Sequence, residues 1–448
     1  MKRAVVVGSG AGGAAAAKSL QGAFHVTILE SGGDFRPFPV DPAKLEKWRK
    51  TGLFFDERLI RVLFPAMRIK KTPDGMVMVF GSGTGGTSAI STGNAMRVDG
   101  DLKKLGIDLD AEFGELEREV PVSTSHQKRW SATTRRLFEL CESAGLRPRP
   151  TPKMGEYDRC TGCGRCIFGC PSGVKWDSRR FLAEAVSEGA DLATNCAAKR
   201  VVVSNGRAEG VIARQGVRSR FFPADLVVLS AGGFSTPVIL NDSGYPCEER
   251  LFVDPVLCVA ARIEGCAQNR EIPMPFVVQR DGYIVSPYFD YLSFFFDRRW
   301  RHPSGNIYSI MIKLADTNQG AVRGRRIVKT LTDKDREKLD EAVELCAGLL
   351  GGLGVQRRDI FLGRINAGHP GGTMPLTAEE ASSLHHSRLP ENLYIADATL
   401  LPGPLGNPPI FTIMALAKRV SKMCIRGGSG QTATGASAGS RPIAKGRK

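Results

Sequence analysis

The sequence lacks several features that would assign it to a common protein class. No apolar run approaches the ~18–20 residues that span a membrane as a helix. There are no internal repeats and no nucleic-acid-binding motif, and the basic residues form no stripe interleaved with aromatics. These absences argue against a transmembrane helix, a repeat architecture and a nucleic-acid partner.

Acidic residues are comparatively few. The chain has 62 lysine and arginine residues against 46 aspartate and glutamate residues, and no acidic residue follows Arg426. The net charge of +16 favours acidic partners such as anionic substrates or electron carriers, although it fits a basic protein without a charged partner equally well.

The remaining composition is typical of a globular protein with more than one domain. The 448 residues are 42% hydrophobic and 24% charged. Lys2 and Arg3 precede a small apolar stretch whose many glycines make it a poor signal peptide, so we expect a cytoplasmic protein. Eleven cysteines in a cytoplasmic chain indicate metal or redox use rather than a disulfide framework.

A glycine-rich turn between two predicted strands opens the chain. The turn contains Gly8, Gly10 and Gly13, a short helix follows it, and the next predicted strand ends at Glu30. Such glycines let a dinucleotide pyrophosphate approach the helix N-terminus, and the acid bonds a ribose hydroxyl. The small residues 31–33 that follow the acid favour FAD over NAD as a family pattern.

A second glycine cluster contains Gly85, Gly86, Thr87 and Ser88. One interpretation is a flexible loop. The other is that its backbone N–H groups and hydroxyls bind the same pyrophosphate as the first turn.

Four closely spaced cysteines form the sharpest motif in the chain. Cys160, Cys163, Cys166 and Cys170 have the spacing that wraps a 4Fe–4S cluster in bacterial ferredoxins, and Pro171 follows the last of them. The glycines between them permit the tight wrapping that such a loop needs. We therefore predict a 4Fe–4S cluster on these four thiolates.

Two alternatives to this ligand set stay open. Zinc is one, although zinc sites usually have two cysteine pairs separated by a longer span. The other concerns the fourth ligand, because in two-cluster ferredoxins the last cysteine of such a run serves the other cluster. A remote thiol such as Cys141 or Cys196 would then replace Cys170.

A third set of candidate residues lies near the C-terminus. A short predicted strand ends at Asp397, an acid suited to a ribityl hydroxyl. Pro408 and Pro409 suit the first turn of the amphipathic helix that we predict to follow. The N-terminus of this helix would stabilise an anionic reduced flavin.

In these segments the chain resembles the glucose–methanol–choline (GMC) oxidoreductase family. The resemblance covers residues 8–33, 85–88, 231–237 and 367–420, and it is weak over about 260–350. It implies that these segments, with Ala231, bind FAD. Long-chain alcohol oxidases of the family also have a cysteine-rich stretch at a similar place.

The resemblance also implies two catalytic residues. His369 falls where the family has its catalytic histidine, and Asn407 falls where the family has His or Asn, with one extra residue in the spacing that follows. The chain departs from the family pattern after the second glycine cluster. The family usually has asparagine at the position of Ser91, and in this chain an asparagine, Asn94, follows three residues later.

The implied fold is α/β, with a Rossmann-like FAD-binding domain of the GMC and p-hydroxybenzoate-hydroxylase type interleaved with a smaller α+β substrate domain. The predicted ranges are 1–40, 75–100, 185–260 and 364–426 for the FAD-binding domain, 150–182 for the iron–sulfur segment, 261–363 for the substrate domain and 427–448 for a disordered tail.

The implied function is oxidation of an alcohol CH–OH group by hydride transfer to FAD. His369 takes the hydroxyl proton as general base, Asn407 orients the oxygen, and the cluster passes electrons to an acidic carrier such as ferredoxin or to a partner electron-transfer subunit. The expected substrate is a small-molecule alcohol, with a hydrophobic one of sterol-like or long-chain type as the candidate. The alternatives are a ferredoxin-fed reductase of a C=C or C=O bond, a flavin and iron–sulfur electron-transfer subunit, and a zinc-stabilised flavoprotein.

Overall fold

The computed structural model describes residues 1–49 and 60–430. The strands in these residues are β1 Lys2–Val7, β2 Phe24–Leu29, β3 Met67–Lys71, β4 Val77–Gly81, β5 Val122–Ser123, β6 Arg149–Pro150, β7 Lys153–Met154, β8 Asp191–Ala193, β9 Cys196–Ser204, β10 Arg207–Gln215, β11 Arg218–Pro223, β12 Leu226–Leu229, β13 Val256–Arg262, β14 Phe276–Arg280, β15 Tyr283–Pro287, β16 Ile307–Leu314, β17 Ala321–Arg323, β18 Arg326–Val328, β19 Ile360–Leu362, β20 Asn366–Ala367 and β21 Leu393–Ile395. The helices are α1 Ala11–Ser19, α2 Glu46–Arg49, α3 Ile60–Leu63, α4 Gly86–Ala89, α5 Gly100–Lys104, α6 Asp110–Glu119, α7 Ala132–Ser143, α8 Arg179–Ser187, α9 Gly232–Asp242, α10 Tyr291–Phe296, α11 Asp333–Gly352 and α12 Ile410–Gly430.

A parallel sheet has the strand order β21-β12-β1-β2-β8. Its strands precede the N-terminal glycine turn, Glu30 and the C-terminal acid Asp397. Its central strands are buried apolar runs, because helices and neighbouring layers cover both of their faces. The loops that follow β1, β2, β12 and β21 therefore emerge at one edge. Ligands bind at the carboxyl edge of such sheets, and these loops contain Gly8, Glu30, Ala231 and Asp397.

Helix α1 packs very closely on this sheet. A Cβ atom at Gly12 would lie 1.9 Å from the Ala396 carbonyl oxygen, and one at Gly13 would lie 2.0 Å from the Gly8 carbonyl oxygen. Gly13 therefore permits the approach of helix to strand, which is the role of the last glycine in dinucleotide-binding turns.

A second, mainly antiparallel sheet has the order β3-β4-β20-β13-β16-β15-β14-β6, with β19 also pairing with β13. Strand β16 is buried along its whole length and is packed against α11. The strands of the two sheets alternate along the chain, so the predicted interleaved α/β fold is confirmed. Strands β4 and β20, which lie in the sequence ranges predicted for the FAD-binding domain, pair with each other within this second sheet.

Some local predictions need correction. The aromatic-rich sequence around Phe294 favours a strand, but this segment forms the short helix α10. Helix α12 begins at Ile410, and both prolines precede it, with the Pro409 carbonyl accepting the hydrogen bond from the Ile413 amide.

The sequence predicts disorder from residue 427 onward, but the first four residues of that range are helical. Residues 427–430 form the last turn of α12, which continues beyond the buried side chain of Cys424. Residues 431–448 lie outside the described residues. Within residues 1–49 and 60–430, no helix is both long and apolar enough to cross a membrane.

Candidate active site

A cavity of about 610 Å³ lies at the carboxyl edge of the parallel sheet and is lined by residues from both sheets. Most of the predicted cofactor and catalytic residues line it: Gly8, Gly10, Glu30, Gly86, Thr87, Ser88, Ala231, His369, Asp397 and Pro408. Three of the predicted cofactor and catalytic residues do not line it, namely Gly13, Gly85 and Asn407. The structure thus brings four distant segments of the sequence to one cavity.

The two glycine clusters meet at this cavity. Gly8 has φ +101°, and a Cβ atom there would lie 2.3 Å from the Ser230 carbonyl oxygen. Gly86 has φ +51°, and its Cβ atom would lie 3.0 Å from the Cα atom of Gly10. The amide of Gly85 donates a 3.3 Å hydrogen bond to the Ser9 hydroxyl, which ties the second loop to the first. Bare backbone therefore faces the cavity where a pyrophosphate would approach.

Glu30 ends β2 beside these loops and is almost fully buried. One carboxylate oxygen accepts hydrogen bonds from the Ser9 hydroxyl, at 2.7 Å, and from the Ser9 amide, at 3.2 Å. The other accepts one from the Gly32 amide at 2.8 Å. The carboxylate is thus fixed at the cavity wall, where it is placed to bond a ribose hydroxyl.

Asp397 occupies the corresponding position after β21. Its carboxylate accepts hydrogen bonds from the Gly232 amide at 2.8 Å, the Thr236 hydroxyl at 2.5 Å and the Thr399 amide at 2.9 Å. Burial raises the pKa of Asp397, and these donors oppose that increase.

The described residues fit FAD. Two glycine loops with exposed backbone, two acids at strand ends and one continuous cavity match what a dinucleotide with a ribityl chain needs. Glu30 would hold the ribose, the loops around Gly10 and Gly86 the pyrophosphate, and Asp397 the ribityl chain.

His369 lines the same cavity, and its imidazole contacts a buried ion pair that sequence reasoning missed. The Nζ atom of Lys313 lies 2.6 Å from His369 Nδ1 and 3.0 Å from an Asp254 carboxylate oxygen. The side chains of Lys313 and Asp254 are 2% and 1% exposed, so solvent screens this contact very little.

These neighbours set the protonation of the three groups. Burial, and then the Lys313 charge, lower the pKa of His369 to about 4. Burial also lowers the pKa of Lys313, and Asp254 opposes that decrease. The pKa of Asp254 is lowered, because the favourable charges of Lys313 and His369 outweigh the penalty of burial.

A further ion pair holds Asp254 in place. The carboxylate of Asp316 accepts hydrogen bonds from the amides of Val253 and Asp254, and it lies 2.7 Å from Lys329 Nζ. The second Asp254 oxygen accepts a hydrogen bond from the Gly406 amide at 3.1 Å. This carboxylate therefore links the histidine to the loop that leads to α12.

Asn407 lies next to the cavity rather than in its wall. Its side-chain nitrogen donates to the Gln279 side chain and to the Leu405 carbonyl, both at 3.2 Å. Within the described part of the chain, its Oδ1 atom is buried and has no hydrogen-bond partner. The residue thus has an unused acceptor one position before Pro408, which does line the cavity.

A pattern in the sequence could have identified Lys313 and Asp254. Each is a single charged residue inside an otherwise apolar run, at 307–314 and at 251–256. Buried charges of this kind need partners, and partners placed at a cavity suggest a functional site.

The cavity wall beyond the polar groups is strongly hydrophobic. Its aromatic members come from several separate segments: Phe38, Phe64, Phe80, Phe168, Phe234, Tyr288, Tyr291, Phe295 and Phe296. Ile167 and Phe168, which belong to the cysteine loop, are part of this wall.

The four predicted metal-ligating cysteines share one loop and carry free thiols. Gly162, Gly164 and Gly169 in this loop all have positive φ values, between +64° and +83°, as the predicted wrapping requires. Across residues 1–49 and 60–430, however, no group of three or more His, Cys, Asp or Glu side chains is arranged to hold a metal ion.

Comparison with known proteins assigns the chain to a family. Residues 3–258 match the family model described as GMC oxidoreductase. An uncharacterized protein of Methanocaldococcus jannaschii is 25% identical over 92% of this chain and 97% of its own length. A long-chain-alcohol oxidase of Arabidopsis thaliana is 23% identical over 93% of this chain and 66% of its own length.

The solved structure of a formate oxidase from Aspergillus oryzae, a variant studied for its effect on FAD modification, has the same fold. Its TM-score is 0.72 at 14% identity, over 96% of this chain and 99% of that one. The family model spans more than half of the 448 residues, and it includes both glycine loops and β12. The chain is an oxidoreductase that belongs to the GMC oxidoreductase family.

Proposed function

We propose that the protein oxidises a hydrophobic alcohol to a carbonyl compound with FAD as its cofactor. The observation that supports this most is that the imidazole of His369 lines the same cavity as the loops that fit FAD. FAD, when bound, supplies the two-electron oxidation of the carbon centre. The protein residues bind the alcohol, orient it and accept its hydroxyl proton.

His369 is the proposed proton acceptor. Because its pKa is lowered to about 4, the imidazole is neutral at physiological pH and carries a single proton. The ring projects into the cavity, where 27% of its side-chain surface is accessible. Asn407 is the proposed orienting residue, and its unused Oδ1 atom is the group available for that role.

The aromatic wall supports a hydrophobic substrate. Apolar surface of this kind binds an alkyl chain or a ring system by removing it from water. The similarity to a long-chain-alcohol oxidase agrees with this substrate class.

The test is anaerobic reduction of the FAD-loaded protein by a panel of alcohols. The panel contains primary alcohols from ethanol to hexadecanol and one sterol, and bleaching of the flavin absorbance is followed by stopped flow. We expect bleaching to become faster with chain length, since longer chains cover more of the aromatic wall. Absence of bleaching with every member, by a protein that retains FAD, would contradict the proposal.

We also propose that the cysteine loop takes up a 4Fe–4S cluster. The spacing of Cys160, Cys163, Cys166 and Cys170, the three left-handed glycines and the free thiols support it. In the described residues the side chains of these four cysteines are not arranged to hold a metal ion together. We therefore assign no electron path through the loop. An acidic electron carrier such as ferredoxin, and a cytoplasmic location consistent with eleven free thiols, are part of this proposal.

Metal analysis after anaerobic purification tests the cluster proposal. We expect about four iron atoms and four sulfide ions per chain, the stoichiometry of a cubane cluster. Zinc in place of iron would favour the zinc alternative, and a protein with neither metal would contradict both.

A further inference from the structure

Lys313 is poorly explained as a structural residue, because it occupies a buried position at the cavity and contacts the proposed base directly. It lies near the end of β16, and strand pairing places it opposite Val256, two residues after Asp254. The charged groups that face it are Asp254, Asp316 with its partner Lys329, and His369. Lys313 therefore stands between a buried carboxylate and the imidazole.

The contact between Lys313 and His369 determines which nitrogen of the imidazole can accept a proton. An ammonium group has only donors, so a charged Lys313 must donate to Nδ1. The single proton of the neutral ring is then on Nε2, and this nitrogen cannot act as a base. A neutral Lys313 amine instead accepts the proton of Nδ1–H, which leaves the lone pair of Nε2 free.

We propose that Lys313 receives, through His369, the proton that leaves the alcohol. The O–H bond of the alcohol breaks and its proton goes to Nε2, while the Nδ1 proton of the same ring goes to the Lys313 amine. The C–H bond breaks and its hydrogen leaves with both bonding electrons, as a hydride, to FAD, the oxidant of the proposed function on which this inference rests. One imidazole proton is gained and one is lost, so the positive charge appears only on Lys313.

The groups around Lys313 favour the final state in which Lys313 carries the proton. The new ammonium group lies 3.0 Å from the Asp254 carboxylate, which itself accepts a hydrogen bond from the Gly406 backbone amide. If the imidazole kept the proton beside a neutral Lys313 amine, its Nδ1 atom would lie 3.8 Å from that carboxylate, so the charge is held closer to its counter-ion on Lys313. Lys313 is thus a positioning residue that sets the proton-accepting nitrogen of His369 and finally holds the proton.

The pH dependence of flavin reduction separates this relay from a simple histidine base. In the relay, activity requires a neutral lysine, so the rate rises with pH through an alkaline step. In Lys313→Met the imidazole accepts the proton alone, and the step in the pH profile moves down toward the ordinary histidine pKa of ~6.5. The rival case is that His369 acts as the base beside a lysine that stays charged. The rate of flavin reduction by the wild type then rises near pH 4, and Lys313→Met moves that rise to higher pH.

Two further variants keep the test decisive. Lys313→Arg retains the charge but cannot release a proton, so the relay predicts a loss of ~10²–10⁴-fold at every pH. A rate close to that of wild type in this variant would overturn the proposal. Because Lys313→Met leaves a buried carboxylate unpaired, the double variant with Asp254→Asn provides a charge-balanced alternative. The exposed Lys104→Met serves as the matched control.

A measurement without substrate distinguishes failure of the relay from failure of the proposed function. The protein has six histidines, and the nitrogen-15 NMR signals of His369 are assigned by their absence in His369→Gln. We expect the Nε2–H tautomer at neutral pH and the Nδ1–H tautomer at alkaline pH, with the switch absent in Lys313→Met. One tautomer at every pH would overturn the relay, whereas the switch in a protein that no alcohol reduces would contradict only the alcohol-oxidising function.

Discussion

The hydroxyl group of Ser9 donates a 2.7 Å hydrogen bond to the carboxylate of Glu30. This bond joins the glycine turn after β1 to the acid that ends β2, so the two parts of the dinucleotide motif form one rigid wall of the cavity. The amide of Gly85 contacts the same hydroxyl, and the second glycine loop is thereby fixed to the first. FAD retention should therefore depend on small changes at this junction.

Gly10→Val should abolish FAD retention while leaving the fold intact. Gly10 has φ −70°, which any residue adopts, and the nearest atom to its Cβ position is the Gly86 Cα atom at 4.0 Å. The valine side chain would occupy the space in which pyrophosphate approaches the backbone. The measurement is the flavin absorbance per chain after purification with added FAD. Gly348→Val, at an exposed and unobstructed glycine of α11, is the control, and a fully FAD-loaded Gly10→Val protein would contradict the assignment.

Cys163→Ala should remove any iron-dependent absorbance and leave FAD bound. The cysteine loop and the FAD-binding loops are separate segments, and the wall residues Ile167 and Phe168 connect the cysteine loop with the cavity. Iron content and flavin absorbance are measured on the same anaerobic preparation, with Cys247→Ala as the control outside the loop. Loss of both cofactors together would mean that the cluster loop also organises the cavity.

The cofactor motifs could be predicted from the sequence because each is local. Gly8, Glu30 and Asp397 follow strands of one parallel sheet within a few residues, and the carboxyl edge of that sheet brings them together. The glycines around Gly86 follow β4 of the second sheet, again within a few residues. Such residues need no knowledge of distant pairing.

Lys313 and Asp254 depend on a long-range relationship that the sequence does not display. They become neighbours only through the register of β13 with β16, in which Val256 lies opposite Lys313. Asn407 shows the reverse case, since its motif predicted a catalytic position but did not predict that its side chain would lie next to the cavity and donate to Gln279. Hydrogen bonding to Gln279, another distant residue, determines that orientation.

Acid should destabilise the protein through His126. This histidine is buried, its Nε2 atom lies 2.8 Å from the Thr151 carbonyl oxygen, and its Nδ1 atom accepts a hydrogen bond from the Trp130 indole. Burial and the nearby Lys153 charge lower its pKa to about 4. Between pH 6.5 and 4 the unfolded chain therefore binds a proton that the folded protein does not, and the free energy of unfolding decreases as the pH falls.

The measurement for His126 is urea unfolding at pH 7 and pH 4.5. His126→Gln keeps a donor to Thr151 but does not titrate, so the wild type should lose about 2–3 kcal/mol more than this variant over that interval. His25→Gln, at an exposed histidine, should retain the full pH dependence. If the free energy of unfolding decreased equally in wild type and His126→Gln between pH 7 and pH 4.5, His126 would not be the responsible group.

His369→Gln should keep FAD and slow flavin reduction by alcohol. Glutamine retains the approximate volume and one hydrogen bond to Lys313, but it cannot accept a proton at neutral pH, and general base catalysis typically contributes ~10²–10⁴-fold. The loss should appear in the reductive half-reaction, measured by stopped-flow bleaching under excess alcohol, and the pH step of the wild type should disappear. A rate within about threefold of wild type, far below the expected contribution of a base, would make His369 a bystander.

Asn407→Ala distinguishes orientation from proton transfer at the same site. It removes an amide whose Oδ1 atom has no partner in the part of the chain that the structure describes, so the folded protein loses only the bonds to Gln279 and Leu405. If Asn407 orients the substrate oxygen, the rate of bleaching should fall less than in His369→Gln and the position of the pH step should stay unchanged. A shift of that step would mean that Asn407 acts on the protonation of the imidazole. An unchanged rate would remove it from the catalytic site and leave the proton transfer to His369 and Lys313.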